Sequence, residues 1–266
     1  MSDTITYEVK GTAAIITLNN PKTLNALTME QYDTICKYLE QANDNPDTII
    51  TLLQSTGRVF SAGANAQAIS NNDTKLETWL SKSVAKQVFL VQTVMAHKKI
   101  LAAALNGPII GLTASLVAMC DLIYVNNLKK TFLLTPFANI GIINEGGTSA
   151  SLFTRLGWSK ANEALLMSKR ISGEDLYNVG FVNKHYDGKL TTEEFNKKVL
   201  DELVDATENL HFDSIIQNKQ LLKDMYGPQI SSTISQEAFR GLKKWTAGIP
   251  LERFKKLMSG ELKHKM

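Results

Sequence analysis

Cysteine and histidine are scarce in this 266-residue chain, which has two cysteines, Cys36 and Cys120, and four histidines. The cysteines sit in apolar surroundings without CxxC spacing, and the histidines are scattered with no HExxH pair. That pattern argues against a disulfide framework and leaves a metal mechanism without ligands. No apolar run approaches the roughly 18 residues that suggest a membrane span. The start, MSDTITYEVKG, lacks the basic and apolar regions of a secretory signal, so the expectation is a protein made and folded in the cytosol. A strong charge bias is missing too. The net charge of +3 is too small to point to nucleic acid, although residues 237–266 alone carry a net +5. That stretch reads as a solvated helical face or as a phosphate or receptor contact.

Hydrophobic residues make up 44% and charged residues 21%, the balance of a globular protein able to bury a sizeable core. The pattern opens as a hairpin, ITYEV and TAAIITL around a Lys10-Gly11 turn. After the loop NNPKTLNAL, Thr28 opens an amphipathic helix carrying Met29, Ile35 and Leu39, and the strand TIITLLQ follows. This order predicts a right-handed crossover in an α/β fold. A long helix from about Trp79 to His97 leads to the strand ILAAAL, and after Leu152 the pattern is almost wholly helical apart from the short strand FVNKHY. The expected division is an α/β core over residues 1–190 and a helical region over 191–266, with no repeat or low-complexity linker between them.

Three stretches could carry chemistry. FSAGANA (residues 60–66) places small side chains at a strand end, where a ligand can approach the backbone and Asn65 can cap a short helix. NGPIIGLTASL (residues 106–116) has the same form and could supply a second N–H near Leu112. Each alone is an ordinary strand-to-helix turn or a close helix–strand packing, and the GxGxxG dinucleotide fingerprint is absent. NEGGTSASL (residues 144–152) adds one carboxylate, Glu145, against two glycines. Two backbone donors and a carboxylate are the parts needed to remove a proton α to a thioester. Gln87 falls on a stripe with Leu80, Val84 and Val91, so it either makes a structural hydrogen bond or lies near an acyl chain.

NPKTLNAL, GRVFSAGANA, LNGPIIGLTASLVAMCDLIY and PFANIGIINEGGTSASL, in that order, resemble the crotonase superfamily of enoyl-CoA hydratases and isomerases over most of the chain. The resemblance implies an α/β, crotonase-like spiral core of repeated ββα units with a helical C-terminal trimerisation region. It also implies an acyl-CoA substrate, no separate cofactor, no metal, and a homo-trimer or homo-hexamer. By motif position the oxyanion-hole amides belong to Ala64 and Leu112, the substrate-binding stretch to Ala62, Gly63, Ala64, Asn65 and Ala66, and the catalytic base to Glu145. Ala26 and the C-terminal lysines are placed at the adenine end of the CoA. Two sites where hydratases carry Glu are here Ser115 and Phe137, and the family's common Asp after the AGA turn is Asn65. The lone Glu145 is similar to the pattern of fungal peroxisomal Δ3,Δ2-enoyl-CoA isomerases. A hydratase, a dienoyl-CoA isomerase and a catalytically silent acyl-CoA scaffold are the alternatives. The terminal His264-Lys265-Met266 is similar to degenerate forms of the tripeptide read by the peroxisomal import receptor, which implies the peroxisomal matrix.

Overall fold

The computed structural model describes residues 4–263; His264, Lys265 and Met266 lie outside the described residues. The expected hairpin is present as β1 (Ile5–Lys10) and β2 (Ala13–Leu18), paired antiparallel. Thr28 caps α1 (Met29–Asp44) through a full capping box with Gln31, which satisfies two amide groups that the first turn leaves unpaired. The chain then enters the sheet as β3 (Ile50–Ser55).

From β3 onward the backbone winds through three similar turns. The first runs from β3 past a short paired segment at Ser61 to α2 (Ala66–Ser70), followed by α3 (Leu76–Trp79), a π-helical turn (Leu80–Ala85) and α4 (Lys86–Ala96). The second comprises β4 (Ile100–Leu105), β5 (Ile109–Ile110) and α5 (Leu112–Ala118). The third comprises β6 (Leu122–Val125), β7 (Phe132–Leu134) and α6 (Thr148–Leu166). The long strands join a six-stranded sheet of order β1-β2-β3-β4-β6-β9, parallel beyond the first pair. The short strands stack beside it, with Ser61 bridged to Ile109 and Ile109 paired with Leu133. β8 (Ile171–Ser172) closes this second sheet, α7 (Gly173–Asn178) follows, and β9 (Lys184–His185) is what remains of the expected FVNKHY strand.

Parallel strands covered on both faces read as continuous apolar runs, and ILAAAL is one. Leu101, Ala103 and Leu105 face the main core with Ile16, Leu53 and Ile123. Ala102 and Ala104 face the opposite side with Ile50 and Leu52, where Phe195, Val199 and Leu203 of α8 (Thr192–Thr207) cover them. Two more helices complete the chain, α9 (Phe212–Thr246) and α10 (Ile249–Ser259). α9 packs on α4 and α6, while α10 returns to α2. Trp245 at the end of α9 stacks on Trp79 with ring centroids 4.1 Å apart, and Phe254 of α10 stacks with Trp245 at 6.4 Å. Among the described residues no helix is long and apolar enough to cross a membrane.

One periodicity reading needs correction. The π turn is wider than an α turn, so the buried face shifts from Leu80, which is exposed, to Ser83, which is 3% exposed. Ser83 and Gln87 then share the inward face.

Phe195 is fully buried and is the largest side chain sealing the rear of the sheet. Phe195→Ala is expected to cost about 3–5 kcal/mol of stability, measured as a lowered urea midpoint with little change in slope.

Candidate active site

The site forms where the three turns of the spiral come closest. Gly63 (φ +84°) and Gly111 (φ +60°) lie in the first and second turns, and their backbones cross almost in contact. A Cβ on Gly63 would sit 2.6 Å from the Ile110 carbonyl oxygen, so no side chain fits there and the φ angle would strain one in any case. The crossing puts the next residues, Ala64 and Leu112, on one cavity. Leu112 is the first residue of α5, so its N–H has no intrahelical acceptor. Neither that N–H nor the N–H of Ala64 donates to a protein acceptor among the described residues.

A buried polar network underlies the crossing. The Ser61 hydroxyl donates to the Asn25 carbonyl at 2.8 Å, accepts from the Gly63 N–H at 3.1 Å and meets Thr113 Oγ1 at 3.0 Å, and Tyr32 OH meets Thr113 at 2.9 Å. The Asn25 amide nitrogen donates in turn to the carbonyls of Thr56 and Val59. The loop NNPKTLNAL is therefore tied to the strand end that carries Ala64. Asn65 caps α2 by accepting from the Ala68 N–H at 3.0 Å, the role its side chain suggests.

Glu145 comes from the third turn. A Cβ on Gly146 (φ +69°) would lie 2.6 Å from Leu112 Cδ1 and 2.8 Å from Ser115 Cβ, so the NEGG turn seats directly on α5. Ser115 and Thr148 both donate hydroxyl hydrogen bonds to the Glu145 carbonyl, at 3.1 and 2.9 Å. Gln87 donates through Nε2 to Glu145 Oε2 at 2.8 Å and to Ser83 Oγ at 2.9 Å, while its own buried Oε1 has no hydrogen-bond partner among the described residues. Gln87 is thus a partner of the carboxyl itself.

The cavity has a volume of about 250 Å³, and Glu145 is the one acid among its lining residues. Ala26, Ala62, Ala64, Ala66 and Leu112 line it, as do Met29, Phe137 and Ile142, and the C-terminal helices contribute Trp245, Phe254 and Leu257. Gly63 and Asn65, expected in the substrate-binding stretch, are not among its lining residues. Ile143, next to Ile142 in the chain, does not line the cavity and packs against Gly241 of α9. Burial first, and the negative charge of Glu237 second, push the Glu145 carboxyl up from 4.5 to about 8, against the lowering hydrogen bond from Gln87. Among the described residues no group of three or more His, Cys, Asp or Glu could hold a metal ion, and both cysteines are buried and free.

Two amide donors and one carboxyl with raised proton affinity on an apolar cavity are parts suited to forming and stabilising an enolate. A family description, enoyl-CoA hydratase/isomerase, matches residues 8–237 of the chain. The chain belongs to this family. It is 39% identical to the 3,2-trans-enoyl-CoA isomerase of Saccharomyces cerevisiae, over all of this chain and 98% of that protein. It is 38% identical to a Delta(3,5)-Delta(2,4)-dienoyl-CoA isomerase of Pyricularia oryzae, with both chains fully covered. The crystal structure of an enoyl-CoA hydratase/isomerase from Pseudoalteromonas atlantica superposes with a TM-score of 0.82 at 20% identity, covering 97% of this chain and 98% of that one. The crotonase fold expected from the sequence is the fold observed.

Sequence reasoning missed Glu237. It accepts hydrogen bonds from the Gly147 N–H at 2.7 Å and the Ser149 N–H at 2.9 Å. A signal was present: Ile230, Ile234, Ala238, Gly241 and Trp245 form the buried stripe of α9, and Glu237 is the acid on that stripe.

The raised carboxyl has a consequence for stability. Unfolded, Glu145 releases its proton near 4.5, but folded it keeps the proton to about 8, so raising the pH between these values favours unfolding. Glu145→Gln removes that dependence. Its melting temperature minus that of the wild type is expected to grow as pH rises from about 4.5 to 8 and then level off, measured by thermal melts across that range.

Proposed function

We propose that the protein is an enoyl-CoA isomerase that converts 3-cis- or 3-trans-enoyl-CoA into 2-trans-enoyl-CoA. The thioester oxygen lies between the Ala64 and Leu112 N–H groups, and Glu145 removes a proton from C2. The C2–H electron pair forms the dienolate, whose oxyanion the two amides stabilise. Glu145 then returns the proton to C4: the C3=C4 pair forms the new C4–H bond, the C1=C2 pair of the dienolate becomes C2=C3, and the oxyanion pair restores the carbonyl. Ionised Glu145 is the active form at the start of the cycle, and a base whose pKa lies near the working pH is suited to take up and give back one proton.

The single observation carrying this reading is that Glu145 is the one acid on the cavity. Adding water to a double bond uses two acid/base groups. The positions where a second would be expected are Ser115, fully buried and bonded to the Glu145 carbonyl, and Phe137, buried at the cavity wall. The similarity to a 3,2-trans-enoyl-CoA isomerase supports the same reading. The nearly equal identity to a dienoyl-CoA isomerase favours a second one, in which the same carboxyl carries the proton from C2 to C6 of a 3,5-dienoyl-CoA. The family resemblance also implies a homo-oligomer, and Leu221, Leu222 and Met225, exposed together on α9, supply an apolar face for one.

Three assays run in parallel, on 3-enoyl-CoA, 3,5-dienoyl-CoA and 2-enoyl-CoA, separate isomerase, dienoyl isomerase and hydratase. The first is expected to give the highest kcat/KM, rising with pH through a midpoint near 8. Glu145→Ala should lose roughly 10²–10⁴-fold in kcat while keeping its fold by circular dichroism. Near-normal turnover by that variant would rule out the proposed chemistry.

A further inference from the structure

Glu145 precedes α6 by only three residues, so it stands just before the positive end of that helix's first segment, which runs from Thr148 to the break at Gly157 (φ +71°). The first amides of a helix lack intrahelical acceptors and stabilise nearby anions. Left free, those of α6 would favour ionised Glu145 and make it a poor base. They are not free. The carboxylate of Glu237, 5% exposed and reaching in from α9, takes the Gly147 N–H on one oxygen and the Ser149 N–H on the other. The remaining side chains around Glu145 do not offset this. Gln87 from α4 and Ser115 from α5 are neutral, and the titratable Tyr32 of α1 is buried against Thr113. Among the described residues no lysine or arginine is found acting on the Glu145 carboxyl.

We propose that Glu237 is a positioning residue for Glu145: it holds the NEGG turn by its two amides, neutralises the start of α6, and places a fixed negative charge behind the base. Glu237 ionises first because it accepts two amide hydrogen bonds, which oppose the rise that burial imposes on it. Its charge then disfavours a second anion nearby, in keeping with the raised proton affinity of Glu145. Glu237 does not line the cavity and makes no contact with the reacting atoms. The helical region after the spiral thereby sets the strength of a base carried by the spiral. A Gln at this position keeps the shape but removes the charge, and its amide group can accept from only one of the two N–H groups.

This inference rests on Glu145 being the base, and its test separates the two. The ionisation of Glu145 is read without substrate, by 13C NMR of carboxyl-labelled protein, with Glu145→Gln assigning the resonance. The pH profile of kcat/KM on 3-enoyl-CoA is measured alongside. In Glu237→Gln both midpoints are expected to fall by roughly one to three pH units, the range one nearby charge produces, with a lower plateau kcat from the weaker base. Glu237→Asp, which keeps the charge, should hold the midpoints close to wild type. If Glu237→Gln lowers kcat but leaves both midpoints in place, or if Asp and Gln move them equally, Glu237 only supports the turn and the inference is overturned. If the NMR midpoint falls while Glu145→Gln still turns over, the coupling stands and the assignment of the base fails instead.

Discussion

The crossing of Gly63 over Ile110 and Gly111 is the contact on which the rest of the site depends. The chain has space there for backbone and nothing else, since an added Cβ would lie 2.6 Å from a carbonyl oxygen. Because the fold is a spiral, equivalent points of successive turns lie next to each other. Two turns each bring to the cavity an amide with no protein acceptor among the described residues, and the third brings a carboxyl in the corresponding place. Ser61, Thr113, Tyr32 and Asn25 then fix the crossing with buried hydrogen bonds, so the donors are held before any ligand arrives. Preorganised donors need not reorganise when charge develops, and this is what the proposed oxyanion role of the two amides draws on.

The second constraint is a buried acid with no cationic partner among the described residues. Gln87 satisfies one oxygen of Glu145 with a neutral donor, and Glu237 contributes a like charge. Above pH 8 this arrangement disfavours the folded state, a local strain that functional sites commonly retain and that the surrounding core has to offset. That core is extensive: both faces of the sheet are covered, and the Trp79–Trp245–Phe254 stack ties the last two helices to the cavity wall.

Much of this could be read from the sequence, for reasons specific to each element. The capping box at Thr28, the apolar run ILAAAL and the glycine turns at Gly63, Gly111 and Gly146 are local signals, and each produced the element expected of it. The pairing of Ala64 with Leu112 followed from motif resemblance, because nothing local reveals that two turns 48 residues apart in sequence cross. The π turn was not legible, since a wider turn leaves no clear compositional mark, and it moved Ser83 rather than Leu80 to the inward face. Glu237 escaped notice because its partners are backbone amides 88 to 90 residues earlier, and a backbone acceptor has no residue type to search for. The loss of acids at Ser115 and Phe137 was visible, but not that Ser115 would use its hydroxyl to hold the turn presenting Glu145.

The proposed proton transfer through one enclosed carboxyl is tested most directly by isotope tracking in a single turnover. A 3-enoyl-CoA carrying deuterium at C2 is mixed with excess enzyme in ordinary water, and the 2-enoyl product is analysed position by position. A shuttle by Glu145 predicts that a substantial share of the deuterium removed from C2 reappears at C4. Complete loss of that label to solvent, with ordinary hydrogen at C4 in every product molecule, would contradict it.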